Sequence, residues 1–484
     1  MRTITFFFLV LLTACQVSLP DGVKVEKIPT IFPDYVDVTI PSNIAPLNFK
    51  LVDSDEDIYV QFKTSHDELI VEGSKGKIKI SEKKWASMLK QAAGSDIETT
   101  VYSKEGGEWK VFQSFYIHVA KELMDSHIAY RLIEPGYELW NQMGIYQRNL
   151  ENFKQTAIME NKMTGSNCMN CHSFCMQNPD KMLFHMRETY PCTILIDGDK
   201  VEKLITKTEQ TISNLVYPSW HPGGRYIAFS VNSTKQAFHM NDRNRVEVFD
   251  EASDVVVYDS ENHEIITSPV IFSKESWETF PTFSPDGKTL FFCSAEPRAI
   301  TDFKEIKYNL CSISFDPENR KFGTTVDTLY NASLDGRSAS FPRVSPDGKF
   351  LLYTLSGYGN FSIWHKDADL YMVDLKEGTT KVMQAMNSND VESYHSWSSN
   401  SRWVVFSSRR IDGLYTRPFF AHVDKNGNAG KPFLLPQKDP DFYLGLMKSY
   451  NIPEFITGAV KSQSYSIAEK AKKDAGIQVR FSSI

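Results

Sequence analysis

The sequence predicts a mainly β protein whose C-terminal half is a β-propeller, and three observations carry that expectation. Four segments share one pattern: "YPSWHPGGRYIAFSVN" (217–232), "FPTFSPDGKTLFFCSA" (280–295), "FPRVSPDGKFLLYTLS" (341–356) and "YHSWSSNSRWVVFSSR" (394–409). With Trp220, Phe283, Val344 and Trp397 as markers, the spacings are 63, 61 and 53 residues, which suits four-stranded blades of roughly 40–60 residues with their loops. The 13% aromatic content, with 32 Phe and 21 Tyr, favours strands over helices.

Each repeat opens on an aromatic or apolar strand and passes through a legible turn. Proline at the second turn position fixes φ, Asp or Gly follows, and a glycine then takes positive φ. In the last copy serines replace proline and glycine, and Asn400 is the remaining turn former. A second strand signal follows each turn, at 253–260, 308–316, 369–375 and 418–424. Upstream, "KMLFHMRE" (181–188) and "CTILIDG" (192–198) read as strands of a further, less regular blade. The expected propeller therefore covers 181–440, with five or six blades; a two-sheet sandwich of repeated hairpins is the competing architecture.

The Ser-Pro-Asp-Gly-Lys turn before an aromatic strand resembles the WD-like repeat of TolB-type β-propellers. Propellers also cap peptidases of the prolyl-oligopeptidase type, which need a Gly-x-Ser-x-Gly elbow. The nearest string, "GRSAS" at 336–340, lacks the second glycine, so serine hydrolysis is not expected.

The chain begins "MRTITFFFLVLLTACQ". Arg2 supplies positive charge, and the apolar run Ile4–Leu12 is too short for the roughly 20 residues of a membrane-spanning helix. Residues 1–14 read as a signal peptide. The "LTAC" that ends at Cys15 resembles the bacterial lipobox, which implies acylation of Cys15 and a lipid-anchored protein. Several acyl chains hold a protein stably where one does not. Gln16, which is not acidic, favours the outer membrane by analogy with lipoprotein sorting. Residues 15–34 read as a tether and 35–125 as a small β-rich sandwich. That sandwich carries one helix, "SEKKWASMLKQAAG" (81–94), with Ser81 as cap and Gly94 as stop. Residues 126–180 form a connector that packs against the propeller or completes a blade. The tail, 441–484, carries the short helix "SIAEKAKKDAG" (466–476). The net charge is −7 with no polybasic stretch, so nucleic acid is not an expected partner. The expected partners are the membrane, through Cys15, and a protein of the cell envelope bound by the propeller.

The densest chemistry lies in "NCMNCHSFC" (167–175), which holds three of the seven cysteines. Cys168-Met-Asn-Cys171-His172 matches Cys-x-x-Cys-His, the c-type haem attachment motif. In that motif two thiols form thioethers with the haem vinyl groups, and the adjacent histidine ligates iron. Export agrees, because haem c is assembled outside the cytoplasm. Met163, Phe174, Met176, Met182, Leu183, Phe184 and Met186 would supply a soft, apolar pocket. His172 is the expected proximal ligand and His185 the distal one, with Met186, Met176 and Met182 behind it. If 181–187 is a strand, His185 and Met186 point to opposite faces, so at most one of them can ligate.

Two further arrangements use the same atoms. Zinc could be held by Cys168, Cys171 and Cys175 with Cys192 or His185. Disulfides could pair Cys175 with Cys192 and Cys293 with Cys311, leaving Cys168 and Cys171 for haem. An iron–sulfur cluster fits the C-x₂-C-x₃-C spacing poorly, and a thioredoxin-like pair lacks its βαβ setting. The chain as a whole resembles exported lipoproteins of Gram-negative bacteria that join a TolB-like propeller to one Cys-x-x-Cys-His motif, a group labelled cytochrome c or cytochrome c biogenesis-like. That resemblance implies an electron carrier or a redox or ligand sensor, with the propeller as binding platform. The alternative function is a non-redox envelope scaffold whose cysteine cluster is structural.

Overall fold

A computed structural model describes residues 18–136 and 141–482. The protein is mainly β, and its dominant feature among the described residues is a closed ring of six blades of four or five strands. Blade 1 comprises His127–Ile133, Gly144–Asn149 and Gln155–Glu160, and its innermost strand is Ser449–Ile456. The inner strands of blades 2 to 6 are Met169–Phe174, Val216–Trp220, Trp277–Phe283, Ser338–Val344 and Glu392–Trp397. Each inner strand adjoins the next around the ring, and Ser449–Ile456 adjoins both Glu392–Trp397 and Met169–Phe174. A strand from the C-terminal part of the chain thus completes a blade begun near residue 127. Full closure leaves the ring no free edge between first and last blade.

The six inner strands share one irregularity. In each, the antiparallel register to the second strand slips across a residue pair: Cys171-His172, Tyr217-Pro218, Phe280-Pro281, Phe341-Pro342, Tyr394-His395 and Ile452-Pro453. The first residue of every pair has φ between 50° and 52°, a conformation that non-glycine residues adopt rarely. A bulge bends the strand and re-aims side chains, here toward the channel at the ring's centre. Tyr217, Phe280, Phe341 and Tyr394 meet there, with ring centroids 4.6, 4.0 and 5.0 Å apart in sequence. These contacts plug the channel.

The expected turns follow the inner strands. His221, Ser284, Ser345 and Ser398 each start one, accepting on their carbonyl the N–H three residues on. Gly287 shows why the Ser-Pro-Asp-Gly turn needs its glycine. Its φ is +73°, and a Cβ there would fall 2.0 Å from His221 Nε2 of the neighbouring blade.

Three expectations are corrected. Of the two roles expected for 126–180, completing a blade is the one observed, in place of a connector: the segment supplies three strands of blade 1 and the inner strand of blade 2. The ring therefore begins at about 127 rather than 181. The segment 441–484 is not a simple tail, because it closes blade 1. Beyond it, Ile477–Gln478 and Arg480–Phe481 extend the outer edges of blades 2 and 3. Its helix, Ser464–Lys473, buries Ile467, Ala468 and Ala471. Finally, the β-rich unit expected at 35–125 is one large sheet with a small two-stranded one, Ile31–Phe32 with Lys50–Leu51, rather than a sandwich. One seven-stranded sheet carries the helix Glu82–Ala92, which buries Trp85, Met88, Leu89 and Ala92, with Trp85 edge-on to Phe62 at 5.5 Å. Ser81 is its N-cap and Gly94 follows its end with φ +81°. This N-terminal unit shares one continuous core with blades 1, 5 and 6. Ion pairs Lys431–Asp34 (2.8 Å) and Lys50–Asp441 (2.7 Å) rim the contact.

Candidate functional site

The Cys-x-x-Cys-His segment lies on the inner strand of blade 2, against the central channel. Cys168 precedes the strand and Cys171 is its bulge residue. The aromatic at that position in blades 3 to 6 is replaced here by a thiol. Both cysteines line a cavity of about 600 Å³ on one side of the aromatic plug. Tyr217, Tyr394 and Ile452, bulge residues of blades 3, 6 and 1, border the same cavity.

His185 lies on the second strand of blade 2 and also lines this cavity, with its Nδ1 3.3 Å from Thr193 Oγ1. Burial, reinforced by the charge of Arg187, pushes its imidazole down to about 3. It is therefore neutral and able to donate a lone pair throughout the physiological range. Cys168 is the more accessible thiol. Burial raises its pKa, and the guanidinium groups of Arg131 and Arg187 oppose that shift.

Three arginines border the cavity. Arg131 donates to Met169 O at 3.2 Å and, with the Asn451 amide turned to match, to Asn451 Oδ1 at 2.9 Å. Arg187 sits at the cavity edge beside Cys168, whose carbonyl accepts the Arg187 N–H at 2.9 Å. Arg409 stacks on Trp364, its guanidinium carbon 3.1 Å from the ring centroid.

A long hairpin crosses above. In blade 3 the second and third strands, Tyr226–Phe238 and Val246–Asp259, run to 13 and 14 residues, about twice their counterparts in blade 6. The overhang brings Asn232, Thr234, Gln236, Val246 and Val248 to the cavity wall. Buried polar ties hold it to blades 4 and 5. Asp250 accepts from Asn232 (3.0 Å) and Tyr308 (3.0 Å), and Glu247 pairs with His365 Nε2 at 3.0 Å. Burial pushes the Asp250 carboxyl up to about 6.

The other sequence-predicted residues fall elsewhere. His172, one residue past Cys171, points to the opposite side of the strand and lines the lower mouth of the channel. There it is buried, and burial together with Arg131 lowers its pKa to about 3. Its ring nitrogens face the backbone of Ile452 and Ala129 without a hydrogen bond of normal geometry. Cys171, at φ 52°, faces the upper cavity with Cys168 while His172 faces the lower mouth, so the two thiols and His172 do not converge here as the motif implies. Of the methionines, Met182 and Met186 pack in the core between blades 1 and 2, and Met176 is exposed at the lower mouth. His185 and Met186 do point to opposite faces, as strand alternation requires.

The alternative disulfides, Cys175 with Cys192 and Cys293 with Cys311, are not present, and all six described cysteines are free. Cys175 packs with Leu183 and Trp220 on one face of blade 2, and Cys192 packs with Phe184 and Met186 on the other. Cys311 pairs in register with Phe292, one residue from Cys293, so their side chains face opposite ways. Among the described residues no cluster of three or more His, Cys, Asp or Glu is arranged to hold a metal ion. The zinc set is thus not brought together. Cys175 has a packing role instead. It stands at the turn position of His221, Ser284, Ser345 and Ser398, with its carbonyl accepting the Asn178 N–H. Its Sγ packs beside Gly224 of blade 3. Cys15 lies outside the described residues.

Sequence reasoning missed Arg131, Arg187, Arg409 and the blade 3 overhang. A signal existed for Tyr217 and Tyr394, the aromatic that precedes Pro or His in each repeat.

No known protein family matches this chain, and no curated protein does. Among solved structures, an oligogalacturonate lyase in complex with manganese is 11% identical, with a TM-score of 0.30, over 71% of this chain and 97% of its own. A DUF4784 family protein from Bacteroides caccae is 7% identical, with a TM-score of 0.33, over 84% and 97%. Prolyl oligopeptidase B from Galerina marginata is 9% identical, with a TM-score of 0.36, over 70% of this chain but 42% of its own. These likenesses concern the course of the chain alone.

Proposed function

We propose that the protein carries one covalently attached c-type haem in the cavity above the plug. It would then act as an electron carrier or redox or ligand sensor, with the propeller as its binding platform. The observation that carries this reading is the convergence of Cys168, Cys171 and His185 on one cavity of about 600 Å³. Cys168 and Cys171 would hold the group covalently, His185 would supply a nitrogen ligand to its iron, and Arg131, Arg187 and Arg409, which line the same cavity, would offer positive charge to its carboxylates. When bound, haem would supply a reversible one-electron centre or an iron that takes a small ligand. The neutral imidazole of His185 is in the form a metal requires. The overhang and the aromatic floor would limit water at the group.

Lipid anchoring at Cys15 and an envelope location, outer membrane rather than inner, belong to this proposal and rest on the sequence. A second reading has its own support. Cys171-His172-Ser173-Phe174 follows the blade repeat of Tyr394-His395-Ser396-Trp397, so part of the motif has a structural reason to exist. On that reading the protein is a scaffold that binds an envelope protein and holds no haem.

The test is expression with a cytochrome c maturation system, followed by denaturation and a pyridine haemochrome spectrum. A covalent band that survives denaturation and is lost in Cys168→Ser/Cys171→Ser is expected. Colourless protein under those conditions favours the scaffold.

A further inference from the structure

The lower mouth of the channel, on the far side of the plug, holds a second site. At one position of the repeat the six inner strands present Ser173, Ser219, Thr282, Arg343, Ser396 and Glu454. Four of the six are small hydroxyls. The other two, on blades 5 and 1, are a cation and an anion, and they do not meet. Among the described residues no carboxylate comes within ion-pairing distance of Arg343, whose one side-chain hydrogen bond is from Nη1 to Pro342 O at 3.2 Å. No cation pairs with Glu454, which accepts the Phe174 N–H at 3.2 Å. The two are close enough for each to bias the other's charge.

Both side chains are half-buried, which makes an unpaired charge costlier than at the open surface, and they line the same cavity of about 120 Å³. Apolar groups wall it: Trp220, Phe283, Val344 and Trp397. Trp220 and Trp397 are fixed by indole hydrogen bonds to Ser173 O (3.3 Å) and Arg343 O (3.1 Å) of the preceding blades. His172 and His395 also border the cavity, and both are neutral. The site is thus a hydroxyl-lined ring with one positive pole, one negative pole and an aromatic rim. A lone anion would meet Glu454, and a lone cation would meet Arg343. A small zwitterion satisfies both.

We propose that the lower mouth binds a free α-amino acid with a compact apolar side chain, its carboxylate on Arg343 and its ammonium on Glu454. The planar guanidinium suits a carboxylate bidentately, and the side chain would rest against the aromatic rim. Burial pushes the Glu454 carboxyl up to about 7, while the Phe174 amide and Arg343 pull it down. An arriving ammonium adds to that pull and keeps the carboxylate ionised. This mouth and the cavity that would hold haem are separate, on opposite sides of the plug.

Titration calorimetry of the full chain with L-valine, N-acetyl-L-valine and L-valinamide tests this. L-valine binds, and each capped derivative, lacking one pole, binds about tenfold or more weaker, as expected for a lost charge-assisted hydrogen bond. Arg343→Gln abolishes L-valine binding. Glu454→Gln weakens L-valine and strengthens N-acetyl-L-valine, inverting the preference. Should Arg343→Gln fail to fold, the capped derivatives on the unaltered chain still decide the matter. No binding of L-valine, or equal binding of all three, overturns the proposal.

Discussion

His172 of blade 2 and His395 of blade 6 occupy one and the same position of the inner-strand repeat, where the other four blades carry proline. Both are buried, and burial pushes both imidazoles down to about 3. The position therefore accepts proline's fixed φ and missing N–H. His172→Pro is expected to fold, with stability within about 1 kcal/mol of the parent. His395→Pro costs about 1 kcal/mol more, because His395 Nε2 lies 2.9 Å from Leu352 O. Urea midpoints of the two variants check this order.

The same histidines set an acid dependence. Their folded pKa of about 3 lies below the unfolded value of about 6.5. Between those values the unfolded chain holds more protons, so each histidine removes stability as pH falls from about 6.5 toward 3. His172→Pro removes one such group. Between pH 7 and pH 5 the variant should lose less stability than the parent, by up to about 2 kcal/mol. Equal losses in the two proteins would refute this.

Glu278 works in the opposite direction. It is 1% exposed, and burial pushes its carboxyl up to about 7, with Asp254 adding to the shift and Ser294 opposing it. A raised folded pKa contributes stability below the unfolded value, and that contribution is lost as pH rises through about 7. Glu278→Gln removes the charge and keeps an acceptor for Ser294. Relative to the parent, it should gain up to about 3 kcal/mol on going from pH 5 to pH 8. Denaturant titrations at those two pH values measure the difference.

Thiol reactivity should follow the map of the cavities. In haem-free protein Cys168 and Cys171, which line the upper cavity, label before Cys175, Cys192, Cys293 and Cys311, which sit in blade cores with pKa values raised by burial. Glu247→Gln weakens the hydrogen bonds to His365 and Tyr358, loosening the overhang. Cys171 should then label several-fold faster, read by mass spectrometry, with the core cysteines unchanged.

The propeller was legible because four of its blades repeat both an aromatic strand and a proline or serine turn. Blade 2 was half hidden, since its turn reads Cys175-Met176-Gln177-Asn178 where the others carry Ser-Pro-Asp-Gly or a close variant. Blade 1 was missed as a unit. Its inner strand, with Ile452-Pro453-Glu454-Phe455, lies far along the chain from the strands it joins, and no local pattern reveals such a pairing. The cysteine cluster was legible as chemistry but not as conformation. Read as a motif, His172 belongs with Cys168 and Cys171; read as a strand, it turns away from them. Arg131, Arg187 and Arg409 carry no local signal because they come from three separate blades.

Ring closure by Ser449–Ile456 on His127–Ile133 also imposes an order in time. A chain emerging N-terminus first offers the bare edge of His127–Ile133 for some three hundred residues before its partner is made. Blades 2 to 6 can form meanwhile, but they remain an open arc with a sticky end. Until Ser449–Ile456 arrives, that edge is open to pairing with neighbouring chains.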